Sequence, residues 1–246
     1  MDYLKNYLIL QNKKIASDTY EMILAGDTSV FKAPGQFLSI ALKDCYLRRP
    51  FSVSQYNEDD LTIVYKVVGR GTRIMSELVP QQELSCLVGL GNGFKTVVDE
   101  DSVVLIGGSV GCAPLVQLNR ELSLQNIKCK VVLGFNKDEE VFYRDAFLNS
   151  EVIVCALDGS QDYTGNVIEA LSAAGLMTTY YYACGPLGML RAVHLSSKAS
   201  GQLSLEARMG CAYGVCRGCG ITTKEGRKRV CKDGPVFNSE VLIWND

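Results

Sequence analysis

The sequence predicts a multidomain chain: an all-β part, then a parallel α/β part, then a small cysteine-rich module. Three observations carry this. Its 246 residues exceed one small domain and suit two, with room for a third small module. Residues 1–98 read as short β segments broken by turns, whereas apolar strands alternate with helical stretches over 99–200. From 201 to 246 the chain is rich in glycine and cysteine, with little room for a core of its own, so it needs a staple.

In the first part, Tyr7–Gln11, Thr19–Leu24, Phe37–Ala41, Phe51–Gln55, Leu61–Val68 and Glu83–Val88 carry the β-branched and aromatic enrichment of strands. Six strands at this spacing suit an antiparallel barrel or sandwich. Gly71–Leu78 is the one helix expected there, opened by Thr72 as N-cap. In the second part, Val103-Val104-Leu105-Ile106 is an uninterrupted apolar run, as in a strand buried on both faces of a parallel sheet. A glycine-rich loop and a helix over Ala113–Leu124 follow it. Val131–Phe135, Val152–Leu157 and Tyr180–Ala183 repeat the strand type, and helices fit Tyr143–Leu148 and Gly165–Ala174.

Composition removes several function classes. The chain is 47% hydrophobic and 21% charged, the profile of an ordinary folded protein, and its net charge of −2 leaves no footprint for nucleic acid. Its apolar runs fall far short of the ~20 residues that cross a bilayer. The start Met1-Asp2-Tyr3-Leu4-Lys5-Asn6-Tyr7 has no signal-peptide pattern, so the expectation is a cytoplasmic protein. A single histidine, His194, makes histidine metal sites and Ser-His-Asp catalysis poor bets. The chemistry is expected to rest on cofactors.

The strongest motif is Cys211-Ala-Tyr-Gly-Val-Cys216-Arg-Gly-Cys219, with Cys231 beyond it. The spacing C-x₄-C-x₂-C…C is that of a plant-type [2Fe–2S] site, in which four thiolates hold two irons. Glycines at 210, 214, 218 and 220 let the loop curl so that N–H groups point at the sulfurs. Structural zinc normally uses two short C-x₂₋₄-C pairs, which the lone Cys231 supplies poorly. The other six of the ten cysteines are scattered and read as small buried apolar residues.

Two further patterns point to nucleotides. Arg48-Arg49-Pro50-Phe51-Ser52 enters a strand with a guanidinium suited to a pyrophosphate, a ring suited to covering a flavin and a hydroxyl for a ring nitrogen. Such a short motif is usually structural. It gains weight from Val64-Tyr65-Lys66 and from Gly69-Arg70-Gly71-Thr72 at a helix start. Gly107-Gly108-Ser109-Val110-Gly111 sits between a buried strand and a helix, where a dinucleotide loop belongs and where a plain tight turn would also fit. Asp158-Gly159-Ser160 and Cys184-Gly185-Pro186 follow later strands, at the carboxyl ends where ligands of open α/β sheets bind. The acidic segment Asp138-Glu139-Glu140, after the second α/β strand, suits a plain solvated turn equally well, but near an adenosine ribose it would favour a free hydroxyl, so the expectation is NAD over NADP.

Taken together, these residues resemble the ferredoxin–NADP reductase superfamily. Within it the chain closely resembles the electron-transfer subunits of NAD-dependent dihydroorotate dehydrogenases. Arg49-Pro50-Phe51-Ser52, Gly107-Gly108 and Cys184-Gly185-Pro186 match the superfamily's order. Leu205–Cys211 and Val230–Phe237 are similar to the subunits' cluster module. The resemblance implies a flavin-binding β-barrel over 1–98, a parallel α/β NAD-binding domain over 99–200 and a [2Fe–2S] module over 201–246. It implies FAD contacts by Arg49 through Ser52, Val64 through Lys66, Gly71 and Thr72. NAD(H) would be bound by Gly107, Gly108, Gly111, Asp158, Cys184, Gly185 and Pro186, and the cluster by Cys211, Cys216, Cys219 and Cys231. Phe51 stands where many members have tyrosine, and Ser109 where a glycine is common.

The function implied is passage of electrons between NAD(H), FAD and the cluster, to or from an FMN-containing dihydroorotate dehydrogenase catalytic subunit in pyrimidine biosynthesis. Two copies of each subunit would form the complex. The runner-up is a diaphorase-type subunit serving ferredoxin or a sulfur-reducing complex, and a different class is an iron–sulfur redox sensor that turns nothing over. Arg217, Lys224, Arg227, Lys228, Arg229 and Lys232, against only Glu225 and Asp233, make the cluster module locally basic; such a run is usually a solvated surface hairpin, but beside the cluster it would suit steering an acidic partner.

Overall fold

The computed structural model describes residues 3–159 and 161–244. Strands β1 (Leu4–Ala16), β2 (Thr19–Ala25), β3 (Phe37–Ile40), β4 (Arg49–Tyr56), β5 (Asp60–Lys66) and β6 (Glu83–Leu90) close into a barrel in the order β1-β2-β5-β4-β3-β6. Closure rather than a sandwich leaves no sheet edge. Period-two burial shows why these residues form it: along β6, Leu84, Cys86, Val88 and Leu90 point inward while their neighbours face out. Leu84, Cys86 and Val88 meet Ile9, Met22, Leu24, Leu38, Ile40, Leu61 and Ile63 in one core, while Leu90, at the strand end, packs with the core of the second sheet.

Between β5 and β6, helix α1 spans Arg70–Ser76 and begins after Gly69. Thr72 is therefore the third helical residue and not the N-cap. Its Oγ1 reaches back to accept from the Val68 and Gly69 N–H groups at 2.9 and 3.2 Å. The hydroxyl does the work of a cap from inside the helix, because a glycine at the cap position has no side chain to do it.

The second sheet contains β7 (Ser102–Gly108), β8 (Lys128–Phe135), β9 (Glu151–Ala156), β10 (Tyr163–Thr164), β11 (Tyr181–Cys184) and β12 (Gly201–Ser204), all parallel to their neighbours. Helices α2 (Pro114–Leu124), α3 (Val167–Ala173) and α4 (Leu187–Ser196) connect them. The strand order is β10-β9-β8-β7-β11-β12, followed by a seventh strand, β15 (Val236–Asn238), which pairs antiparallel with β12. The sheet is therefore mixed at one edge. Between β7 and β11 the order reverses, and a crevice opens at their carboxyl ends.

Two local expectations change. The helix over Tyr143–Leu148 is a single 3-10 turn, Arg144–Ala146, because Tyr143 takes a left-handed φ of 61° that no helix continues through. Helix α4 was not expected; its Leu190 and Val193 repeat at i, i+3 and are buried.

The cluster-module segment is stitched to the rest. Strands β13 (Gly220–Thr223) and β14 (Gly226–Arg229) form a hairpin, and the short helix α5 (Val230–Asp233) leads into β15. Ala212, Cys219, Val230, Cys231 and Phe237 share one apolar core with Ile106, Ala183 and Leu203 of the sheet. That shared core, with β12 and β15, supplies the staple. Asn92, just past β6, adds a second: its N–H donates to the Gly234 carbonyl at 2.6 Å, and its amide to that of Asp233 at 3.2 Å. Among the described residues, no helix is long and apolar enough to cross a membrane.

Candidate functional site

A cavity of about 500 Å³ opens where barrel, α/β sheet and C-terminal segment meet. The barrel contributes Arg49, Pro50, Phe51 and Ser52 of β4, Val64, Tyr65 and Lys66 of β5, and Thr72 of α1. The α/β part contributes Gly108, Ser109, Gly111, Cys184 and Pro186. The C-terminal segment adds Ser204 through Ala207, Met209 and Pro235.

The neighbouring arginines separate here. Arg48 turns into the barrel end, donating to the Ser85 carbonyl at 2.6 Å, and is structural. Arg49 faces the cavity, its Nη1 fixed by the Leu47 carbonyl at 2.5 Å. Gly71 does not line the cavity; it lies under Arg49, where a Cβ would stand 2.7 Å from Nε. Tyr65 runs its ring into the barrel core, its hydroxyl donating to Asn12 Oδ1 at 2.8 Å, with Tyr20 stacked 5.7 Å away. Lys66 Nζ is engaged 2.7 Å from Glu140 Oε1, so its charge points across the domain junction.

A second cavity of about 360 Å³ adjoins the first. Its wall is made by Gly134, Phe135 and Asn136 after β8, Asn166 through Glu169 opening α3, and Met189 and Ala192 of α4. Gly108, Ser109 and Pro186 line both cavities, so the two adjoin along this stretch. Gly108 leaves room for Met189, whose Sδ would lie 2.5 Å from a Cβ placed there. Ser109 holds a left-handed φ of 50°, the conformation for which a glycine would be ordinary.

Other expected residues stand outside these walls. Gly107 packs inside, where a Cβ would meet Cys112 Sγ at 2.9 Å, and Gly185 backs the loop against Met189. Asp158 accepts from the Asp138 N–H at 2.9 Å and so shapes the acidic turn. Ser160 lies outside the described residues.

Sequence reasoning missed Glu206, the carboxyl group in the wall of the larger cavity. Burial raises it above the ordinary glutamate range. The Cys184 thiol opposite is pushed up to about 12, by burial first and then by Glu206, and stays neutral. Nothing local to Leu205-Glu206-Ala207 signals this; the fold brings it there.

All ten cysteines are free thiols. Among the described residues no three metal-binding side chains converge on one point. The four motif cysteines stand instead as two pairs. Cys211 Sγ accepts from the Cys216 and Tyr213 N–H groups, each at 3.4 Å, and Cys219 Sγ from the Cys231 N–H at 3.4 Å. Burial opposes ionisation of Cys211, but the Cys216 and Tyr213 N–H groups outweigh it and lower the thiol to about 6. Burial and the adjoining Cys219 push Cys231 up to about 12. Cys216 is exposed. Two thiol pairs with N–H donors on sulfur fit a centre of two irons held by two thiolates each.

A closed barrel joined to an α/β sheet by a shared cavity is the architecture of ferredoxin–NADP reductase fold enzymes. The chain aligns on a ferredoxin–NADP+ reductase of Neisseria gonorrhoeae with TM-score 0.69, at 13% identity, covering 80% of this chain and 91% of that one. It aligns more fully, with TM-score 0.86, on an NADH-dependent reduced ferredoxin–NADP oxidoreductase, at 27% identity over 97% of this chain and 90% of that one. Residues 206–243 match the family described as the iron–sulfur cluster binding domain of dihydroorotate dehydrogenase B. The electron transfer subunit of dihydroorotate dehydrogenase B (NAD(+)) from Fusobacterium nucleatum is 37% identical, over 92% of this chain and 93% of that one. The corresponding subunit of Caldanaerobacter subterraneus is also 37% identical, over 96% and 97%. The chain belongs to this family of electron transfer subunits.

Proposed function

We propose that the chain passes electrons between NAD(H), FAD and a [2Fe–2S] cluster, to or from an FMN-containing dihydroorotate dehydrogenase catalytic subunit of pyrimidine biosynthesis, in a complex with two copies of each. In this reading residues 1–98 hold FAD, 99–200 hold NAD(H) and 201–246 hold the cluster. The observation that carries it is the wall of Gly108, Ser109 and Pro186 common to both cavities, beside a module with two cysteine pairs. When bound, these groups supply the conversion between two-electron hydride transfer and single-electron steps.

The chain's own residues do the rest. Arg49 offers its guanidinium to a pyrophosphate, while Phe51 and Ser52 offer a ring face and a hydroxyl. Ala113 and Pro114, where α2 begins, form part of the floor of the same cavity. Gly108 leaves the backbone bare where the two cavities adjoin, and Phe135, Val167 and Met189 offer the smaller cavity's ligand an apolar face. Cys216, on the exposed side of the loop, marks where electrons leave.

The test is to count FAD, iron and sulfide per purified chain and then assay two activities. NADH-dependent dye reduction is expected from the chain alone, and dihydroorotate-dependent reduction of NAD+ only after the catalytic subunit is added. The solved structure at TM-score 0.86 is of a ferredoxin-coupled enzyme, so ferredoxin is the competing acceptor. Faster turnover with ferredoxin than with the catalytic subunit would establish the diaphorase reading. Full FAD and iron with no dye reduction would establish the sensor.

A further inference from the structure

Two residues far apart in the chain, Lys66 of β5 and Glu140 after β8, meet in the fold. Lys66 Nζ lies 2.7 Å from Glu140 Oε1, with the side chains 26% and 15% exposed. Glu140 Oε2 accepts from the Asn136 backbone N–H at 3.3 Å and from its side-chain amide at 3.4 Å. Lys66 belongs to the wall of the larger cavity and Asn136 to that of the smaller. The same turn is tied to the barrel again where the Ser17 N–H donates to the Glu139 carbonyl at 2.7 Å. Of its other two acids, Asp138 is occupied by Gln161 and Glu139 lies 3.9 Å from Lys137. A carboxylate bonded on one oxygen to the barrel and on the other to the nucleotide loop is a strut between them.

We propose that Glu140 is a positioning residue for the nicotinamide nucleotide: clamped by Lys66, it fixes Asn136 in the geometry in which the smaller cavity takes its ligand. The proposal rests on the reading of that cavity as the NAD(H) site. Asn136 follows the carboxyl end of β8, beyond the reach of the sheet's ladder, so its conformation depends on what its own N–H groups find. With Nδ2 held by Glu140, the amide carbonyl oxygen is left as an acceptor for a nucleotide hydroxyl or amide. The ammonium keeps the carboxylate in place and charged, and a charge-assisted pair of this burial is firmer than one at the open surface. The acidic turn thus acts through Asn136 rather than by touching the ribose with Glu140.

The test uses the full chain loaded with its flavin. NAD+ affinity is measured by calorimetry, alongside FAD content and the KM and kcat of NADH-dependent dye reduction. Glu140→Gln is expected to weaken NAD+ binding about five- to tenfold and raise KM to match, with kcat at saturation and bound FAD unchanged. Lys66→Met is expected to weaken NAD+ in the same direction, and the double variant no more than the worse single, as one shared strut requires. In an Asn136→Ala background, Glu140→Gln is expected to add nothing. NAD+ affinity within twofold of wild type in Glu140→Gln would overturn the proposal, as would strictly additive losses in the double variant. Loss of FAD from Glu140→Gln would also overturn it, by making the pair a strut of the barrel alone. A wild-type chain that holds FAD but binds no NAD+ overturns the reading of the cavity itself, and that outcome is distinct from the others.

Discussion

Gly71 owes its place to Arg49. A methyl group there would press on Arg49 Nε, Cγ and Cδ at 2.7 to 3.3 Å and push the guanidinium off its perch on the Leu47 carbonyl. Arg49→Ala removes a charge-assisted bond of about 1.5–3 kcal/mol, so FAD is expected to dissociate roughly ten- to a hundredfold more readily. Gly71→Ala is expected to weaken FAD in the same direction while its helix still forms, since alanine suits a helix interior. FAD titration of the stripped protein checks both, and an unaltered Gly71→Ala variant would show that Arg49 has other room to move. Among the thiols, Cys211 is set apart by its lowered pKa of about 6. Above that pH it is a thiolate, and as pH falls through about 6 it takes up a proton and loses nucleophilicity. In cluster-free protein, alkylation of Cys211 is expected to rise through this range and then level off. Cys231, at about 12, stays a thiol up to pH 9 and is expected to remain unlabelled. Peptide mass spectrometry after brief iodoacetamide treatment measures this, and equal labelling at pH 7 would refute it.

At the scale of elements, α3 shows how a local signal builds a site wall. Asn166 Oδ1 accepts from the Ile168 and Glu169 N–H groups at 2.9 and 3.2 Å, and Glu169 Oε2 accepts from the Asn166 N–H at 2.8 Å. This reciprocal box starts the helix at Val167, because Gly165 at φ 139° cannot be helical. The same residues line the smaller cavity. Asn166→Ala is expected to destabilise the chain by about 1 kcal/mol in urea unfolding. NAD+ binding should weaken with it, because the helix start frays where the ligand sits. Stability lost with NAD+ affinity intact would detach the cap from the site. Asn166-Val-Ile-Glu169 has the pattern of a cap with its partner three residues on, a local signal that the expected start at Gly165 overlooked. Thr72 misleads in the opposite direction: a threonine near a helix start reads as a cap, and only the backbone shows that it reaches back from the third position.

At the scale of the whole molecule, the basic cluster module divides into braces and free charges. Arg229 donates to Asp233 Oδ2 from its backbone N–H at 2.7 Å and from Nε at 3.0 Å, and to the Gly214 carbonyl at 3.0 Å. It thereby ties α5 to the cysteine loop. Lys228 lies 3.2 Å from Glu225. Charge reversal at Arg229 is therefore expected to lose the cluster along with any docking, and it cannot test steering. Arg217 and Arg227 are exposed. Arg217→Glu with Arg227→Glu is expected to slow association with the catalytic subunit and flatten its salt dependence, while NADH-to-dye activity stays intact. Stopped-flow association at two ionic strengths measures this. A wild-type rate at low salt would move the interface to the exposed apolar side chains of Tyr213 and Val215.

By itself the sequence determined what is local. β-Branched and aromatic enrichment between turns marked the barrel strands, the apolar run at Val103–Ile106 marked the central strand of the sheet, and the cysteine spacing marked the cluster loop. Each of these depends on neighbours within a dozen residues, whose geometry the backbone sets directly. Tertiary structure alone decided that Arg48 turns to the Ser85 carbonyl and that Lys66 meets Glu140. It alone carried Glu206 to the cavity wall, and it alone placed β12 and β15 in the sheet. Those outcomes depend on which distant segments pack together. A side chain's partner across 74 positions, as for Lys66 and Glu140, is chosen by strand order and closure, and no spacing in the chain encodes it.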